Sequence, residues 1–521
     1  MASIFGSLFN RRHRLEHVAG PNRAATGGEG AQDQASKQPV ATSPAAKSPE
    51  GSSTASLEGI RVGHGRRSAY STRDLTTGSI PKNLVFLGWP MMGSSMFRVV
   101  DMLSDLVWAG LGFGTASIAG IGAAQLWVQI SMSSRIGIDT AVRAMVSRAV
   151  GASNLPLASH VALQGFSLGA TFALVLAVLG ILLTPQLLAI LGVSDDVISQ
   201  ASLYMRIQFV ALSISALTQI SSAILQASGD SMTPFRIQGL SRIMHLGLSP
   251  LLIFGWGIPG FDGMGIAGAA VSNAVAGAVA FSWLFYVLLT GRSRLHLSFT
   301  GYSVDYKMIW RMIRLGAPAS ANNLERTLGD LVLFLFVAPF GTVTVAAYAL
   351  SHRAHMLVNF GGMGMGQASG VLVGQNLGAG QPQRARYTVA WALAIVTSLS
   401  MISGTLVIVF PGAVLSIFSP SPELMEVATV WLRIQAVGFM FVGASMVFNQ
   451  SYSTAGDTLI PMFVTLITVW GIQQPLAHFL PGVGGLGQYG VALAPVIGTF
   501  ARHLLYVPYF FWGPWLKKKV L

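Results

Sequence analysis

Residues 157–184 read LASHVALQGFSLGATFALVLAVLGILLT, with no Asp, Glu, Lys or Arg anywhere in the stretch. An α-helix rising 1.5 Å per residue carries such a segment about 42 Å, more than the ~30 Å hydrocarbon core of a bilayer. The composition agrees with a lipid-facing chain. Of 521 residues, 52% are hydrophobic and 10% charged, where a soluble chain carries roughly 25% charged residues. A formal charge of +13 would suit nucleic acid if the basic residues formed one continuous face, but they lie between the apolar segments, so no nucleic-acid partner is expected. The absence of cysteine excludes structural disulfides, thiolate zinc sites, iron–sulfur centres and a cysteine nucleophile.

Outward from this segment the pattern repeats. Spans are predicted near residues 82–111, 117–138, 157–184, 202–226, 234–256 and 264–290, then near 315–339, 343–373, 386–410, 428–453, 458–480 and 486–512. The fold class is therefore all-α, a polytopic membrane protein of twelve transmembrane helices. Arg143, Arg148, Arg292, Arg294, Lys307, Arg311, Arg314, Arg384, Arg386 and Lys517–Lys519 fall on one side of these spans. The opposite loops hold no Lys or Arg, so the basic side and both termini are expected in the cytoplasm. Residues 1–79 are rich in Ser, Ala, Gly and Pro, and read as a disordered cytoplasmic tail. That tail has neither an apolar signal core nor the acid-poor composition of a transit peptide, which leads to a bacterial plasma (inner) membrane as the expected location.

An internal repeat organises the chain. Phe113-Gly114-Thr115 recurs as Phe340-Gly341-Thr342, Gly151-Ala152 as Gly378-Ala379, Arg206-Ile207-Gln208 as Arg433-Ile434-Gln435, and Gly229-Asp230 with Pro234 as Gly456-Asp457 with Pro461. All four pairs share an offset of 227 residues. Six helices separate the copies, so both halves enter from the same side as parallel repeats, here 80–300 and 301–521. Such a pair places a cavity between its halves.

These repeated residues carry a resemblance. Val146-Ser147-Arg148-Ala149-Val150-Gly151-Ala152 resembles the segment after the second helix of the multidrug and toxic compound extrusion family. Gln226-Ala227-Ser228-Gly229-Asp230 with Pro234 is similar to that family's turn between helices 4 and 5, and Val373-Gly374-Gln375-Asn376-Leu377-Gly378-Ala379-Gly380 is similar to its second-half counterpart. The likeness covers about residues 80–512. It implies cation-coupled efflux of small organic cations or amphiphiles by a monomer in the lipid bilayer, without a cofactor beyond the coupling ion, H+ or Na+.

An ionised carboxylate at membrane depth is costly unless it pairs, titrates or faces water. Arg98, Asp101 and Asp105 share one face of the first span, and Arg98 can neutralise one acid well. An Arg98–Asp101 pair leaves Asp105 as the candidate ion-coupling group. The resemblance implies the same role, since the family has an essential helix 1 acid five residues before a glycine and Asp105 precedes Gly110 by five. Where some branches carry partner residues before a helix 5 proline, this chain has His245 and Ser249 before Pro250. His245 could titrate against Asp105, although a lone buried His is more often a satisfied core residue.

In the second half, Arg326 and Asp330 are four apart and can pair along one helix face, which leaves Glu325 as a candidate acceptor for cations. His352, Arg353 and His355 lie in the next span, followed by Met363 and Met365. Methionine can line an adaptable cavity, yet it packs membrane helices more often. Glu325, Asp330, His352 and Met363 are the candidate substrate-cavity residues. Gly485, Gly487 and Gly490 match a dinucleotide spacing but no strand precedes them, so that reading fails. The chain holds no Walker loop and no convergent protease or metal motif, so an intramembrane enzyme is not expected. A flippase for a lipid-linked precursor is the alternative, and would want a basic central cavity.

Overall fold

The computed structural model describes residues 73–520 apart from 113–114, 191–194, 257–260, 417 and 419–420. The side chains of 101–125, 195–197, 199–200 and 266 also lie outside the described residues. Most of the expected tail, residues 1–72, falls there too. Twelve long helices make up the described chain, with no strand among the described residues. They are α1 (Ile80–Gly112), α2 (Thr115–Gly151), α3 (Leu155–Ile190), α4 (Asp195–Ser228), α5 (Met232–Phe254) and α6 (Ile266–Leu289), then α7 (Tyr306–Val337), α8 (Thr342–Gly378), α9 (Pro382–Val409), α10 (Pro422–Ala455), α11 (Leu459–Gly482) and α12 (Gln488–Trp512). A six-residue helix, Pro411–Ser416, stands between α9 and α10.

Several helices outrun their predicted spans. The hydropathy signal of α2 stops near residue 138, but the helix continues through Arg143 and Arg148 to Gly151, and α7 begins nine residues earlier than expected. α10 likewise starts at Pro422 rather than near 428. A hydropathy window ends where charges begin, whereas backbone hydrogen bonding does not. Residues 73–79, read as the end of the tail, are also held. Leu75 is 1% exposed, Asn83 bonds the carbonyls of Leu75 and Thr77, and Arg73 donates to Asn83.

Among the described residues, eight helices are long and apolar enough to cross a membrane by length and composition. The four that fall short are α1, α2, α7 and α8, which carry the embedded charges and pack on one another: α7 on α2, α8 on α1 and α2. Their mutual packing gives the charged residues protein neighbours, so their sequences need not be uniformly apolar. The repeat appears directly in backbone geometry. Gly229 and Gly456, equivalent at the 227 offset, close α4 and α10 with φ of +105° and +100°, where a side chain would be strained.

The apolar clusters divide by depth. At the end bearing the basic loops, one cluster of N-half residues takes in Met308 and Met312 of α7, and a cluster of C-half residues takes in Leu84, Leu87 and Met91 of α1. The remaining clusters each stay within one half, around Phe209 on α4, around Phe439 on α10 and around Trp431 between α7 and α12. Each half thus lends its first helix to the other at the basic end.

Close backbone approach seals that end. Gly137 of α2 meets Gly316 of α7, where an added Cβ would lie 2.1 Å from the Gly316 carbonyl oxygen. Gly151 abuts Gln375 and Gly378 abuts Arg148. Arg148 donates to the carbonyls of Ala455 and Lys518 at 2.9 and 3.0 Å, Gln375 donates to that of Ala227 at 2.9 Å, and Arg384 to those of Thr77 and Gly78.

Candidate functional site

Two polar clusters lie inside the bundle, one in each half. In the N half, Gly93 of α1 receives the ring of Phe235 and Gly239 of α5 receives that of Phe97; the two rings stack with centroids 5.3 Å apart. This interlock brings Arg98 and Arg242 to one small opening between α1, α4, α5 and α6, with a cavity volume of about 30 Å³. Ser94, Ser215, Thr218, Gln219, Gln238, Ser241 and Asn273 supply the rest of its polar lining. Arg98 donates to Ser95 at 2.9 Å, Arg242 to Asn273 at 3.5 Å, and Gln238 to Ser222 at 3.0 Å.

Next to this pocket α2 contributes an Arg135–Asp139 ion pair across one turn and the guanidinium of Arg143. All of these groups act electrostatically on Arg98. Arg143, expected in a cytoplasmic loop, instead sits two turns inside α2, and Arg135, Asp139 and Arg242 belong to the cluster although no sequence motif marks them. Asp101 and Asp105 have helical backbone within α1, but their side chains lie outside the described residues. His245 is 1% exposed on α5, one turn beyond Arg242.

In the C half, Asp330 on α7 lies in the field of His352 on α8 and of Arg326 and Arg502. It makes no direct ion pair with Arg326 within 4.0 Å, so the predicted structural pair does not close. Helical spacing permits that contact, and Arg502 of α12 donates instead to Thr468 while acting on Asp330 only through its field. His355 neighbours His352, with ring centroids 6.3 Å apart, and stacks on Phe439. Glu325 is half-buried, and its Oε2 has no hydrogen-bond partner among the described residues. Met363 is 39% exposed and stands eight residues past His355, about 12 Å along α8, so it does not join this cluster.

The C-half cluster also depends on a wide helical segment. Residues Leu466–Gln473 of α11 form a π-helix, a geometry that recurs at functional sites. From this segment and the turn after it, Thr468 accepts from Arg502 and Gln474 donates to the Gly329 carbonyl at 2.7 Å. No group of three or more metal-ligating side chains occurs among the described residues.

A bundle of twelve helices in two repeats, with buried charge inside each half, defines a polytopic membrane protein of the transporter kind. The MatE family model matches residues 90–251 and again 318–479. The chain belongs to this family. YoeA of Bacillus subtilis, named for multidrug resistance, is 26% identical over 439 residues, covering 83% of this chain and 93% of that one. A protein of Shewanella oneidensis named as an FAD transporter is 26% identical over 430 residues, covering 81% and 92%. Among solved structures, a multidrug resistance MATE transporter of the MOP superfamily in an outward-facing conformation superposes with a TM-score of 0.79 at 20% identity, covering 86% of this chain and 98% of that one.

Proposed function

We propose that this chain is a secondary active antiporter, exporting amphiphilic organic solutes in exchange for H+ or Na+ by alternating access of its two halves. The observation that carries the reading is the division of the apolar core. At the basic end the clusters are shared between halves, while elsewhere each described cluster stays within one half. An apolar core shared between the halves at one end and separate beyond it is what one of the two states of alternation requires. Relatives named for multidrug resistance and for FAD transport support a small organic cargo. The cationic cargo expected from the acids of the sequence fits the Asp330 cluster less well, because His352, Arg326 and Arg502 all bear electrostatically on that carboxylate.

Asp105 is the proposed ion-coupling group, and the chain is taken to work as a monomer in the plasma membrane with both termini in the cytoplasm. The test uses inverted membrane vesicles with an imposed proton gradient, with and without sodium, for the wild type and Asp105→Asn. Solute-dependent dissipation of the gradient is expected for the wild type and a loss of more than tenfold in the variant. A well-expressed Asp105→Asn protein that exports normally would sink the coupling assignment.

A further inference from the structure

The N-half pocket has the chemistry of an anion site. Arg98 and Arg242 line it together with Ser94, Gln219, Gln238 and Asn273, and no carboxylate is among its described lining residues. Arg98 lines this opening while donating to Ser95. Arg135 and Arg143 stand behind it with Asp139 as their local counter-charge. Among the described residues the cluster holds four guanidiniums, of Arg98, Arg135, Arg143 and Arg242, and the carboxylate of Asp139. The balance among these described residues is positive.

In a low-dielectric interior such a balance attracts an anion and disfavours an ammonium group. A guanidinium fork matches carboxylate and phosphate oxygens, and the surrounding amides and hydroxyl offer further neutral donors. Phe97, stacked on Phe235 at the same opening, presents apolar surface to the body of the solute.

We propose that the opening between α1, α4, α5 and α6 binds the carboxylate or phosphate group of an organic anion through Arg98 and Arg242, and that the exported solute is therefore anionic. This rests on the transport reading above and replaces the cationic cargo that the sequence suggested.

The test compares four fluorescent probes on the purified full chain: flavin mononucleotide, riboflavin, carboxyfluorescein and ethidium. The first two differ only in a phosphate. Binding is followed by anisotropy in detergent and transport by counterflow in proteoliposomes. Flavin mononucleotide or carboxyfluorescein is expected to bind at least about tenfold more tightly than riboflavin and ethidium. Whichever of the two binds identifies the group as phosphate or carboxylate. R98Q and R242Q should each weaken that binding about tenfold or more, R242K by less, and R292Q not at all.

Ethidium bound in preference to both anions, or anion binding indifferent to R98Q and R242Q, overturns the proposal. If the glutamine variants do not fold, the wild-type ranking of the four probes decides alone. Anions that bind as expected while no probe crosses the membrane uphold the site and overturn the transport reading. Ethidium that is exported while neither anion binds does the reverse.

Discussion

Gly137 and Gly316 illustrate how a single methyl group decides whether the halves can meet. With reciprocal Cβ positions 2.1 and 2.6 Å from the facing carbonyl oxygens, neither position has room for alanine. Backbone on both sides cannot step aside as a flexible side chain would. Gly137→Ala should therefore cost about 1–3 kcal/mol through overpacking, read as a lower melting temperature in detergent. Gly247→Ala is the matched control, since nothing lies within 4 Å of its added Cβ. An unchanged melting temperature for Gly137→Ala would show that α2 and α7 do not touch there. At the same scale, Asp230 and Asp457, equivalent at the 227 offset, are held by different partners. Asp230 accepts from the Thr233 amide at 3.0 Å, and Asp457 is engaged by the Tyr509 hydroxyl and by Lys518.

The entry to α7 shows how an element is placed by its first residue. Asp305 is the N-cap, accepting from the Met308 amide at 3.0 Å, and it faces His160 of α3 at 3.4 Å. Gln164 of α3 holds the same linker by donating to the Ser303 carbonyl and accepting from the Asp305 amide. The Met308 hydrogen bond, with a smaller contribution from His160, holds the Asp305 carboxyl below the usual carboxylate range. A depressed acid stabilises the fold above its unfolded pKa, near 4, and that contribution is lost as pH falls through the lower folded value. Hydrogen exchange at residues 306–309 should accelerate as pH drops below about 4, once corrected for intrinsic rates. Asp305→Asn should keep the cap and lose the pH dependence; exchange that follows pH equally in both proteins would reject the assignment. The π-segment of α11 belongs to this scale too, because its widened turns bring Thr468 to Arg502.

For the whole molecule, the state observed is fixed by hydrogen bonds between halves at the basic end. Arg148 is central, tying α2 to the end of α10 and to the segment after α12. Removing it leaves two carbonyls without this donor and loosens the closed end. The chain has no cysteine, so spin labels on Leu155→Cys and Gln383→Cys report only the separation of the α2–α3 and α8–α9 turns. Arg148→Ala should add a longer component to that distance distribution. A distribution identical to that of the parent would mean that backbone packing at Gly151 and Gly378 suffices without Arg148.

The sequence by itself determined the spans, their number and the two-fold repeat, because bilayer thickness imposes a minimum length of apolar helix and equivalent turns demand equivalent glycines. Gly229 and Gly456 were legible in this way, as were the acids and histidines as unusual residues at depth. What they touch was not legible. Arg135, Asp139, Arg143 and Arg242 carry no motif and are spread over more than a hundred residues of chain, so only the crossing of α1, α2 and α5 makes them one electrostatic group. Arg502 acts on Asp330 in the same way, through the packing of α12 on α11 and α7. Helical periodicity ranks neighbours three and four residues apart, and it favoured Arg326 with Asp330; the tertiary structure surrounded that carboxylate with partners from other helices. Charge balance inside the bundle, and with it the kind of solute that fits, is a property of packed helices rather than of any one of them.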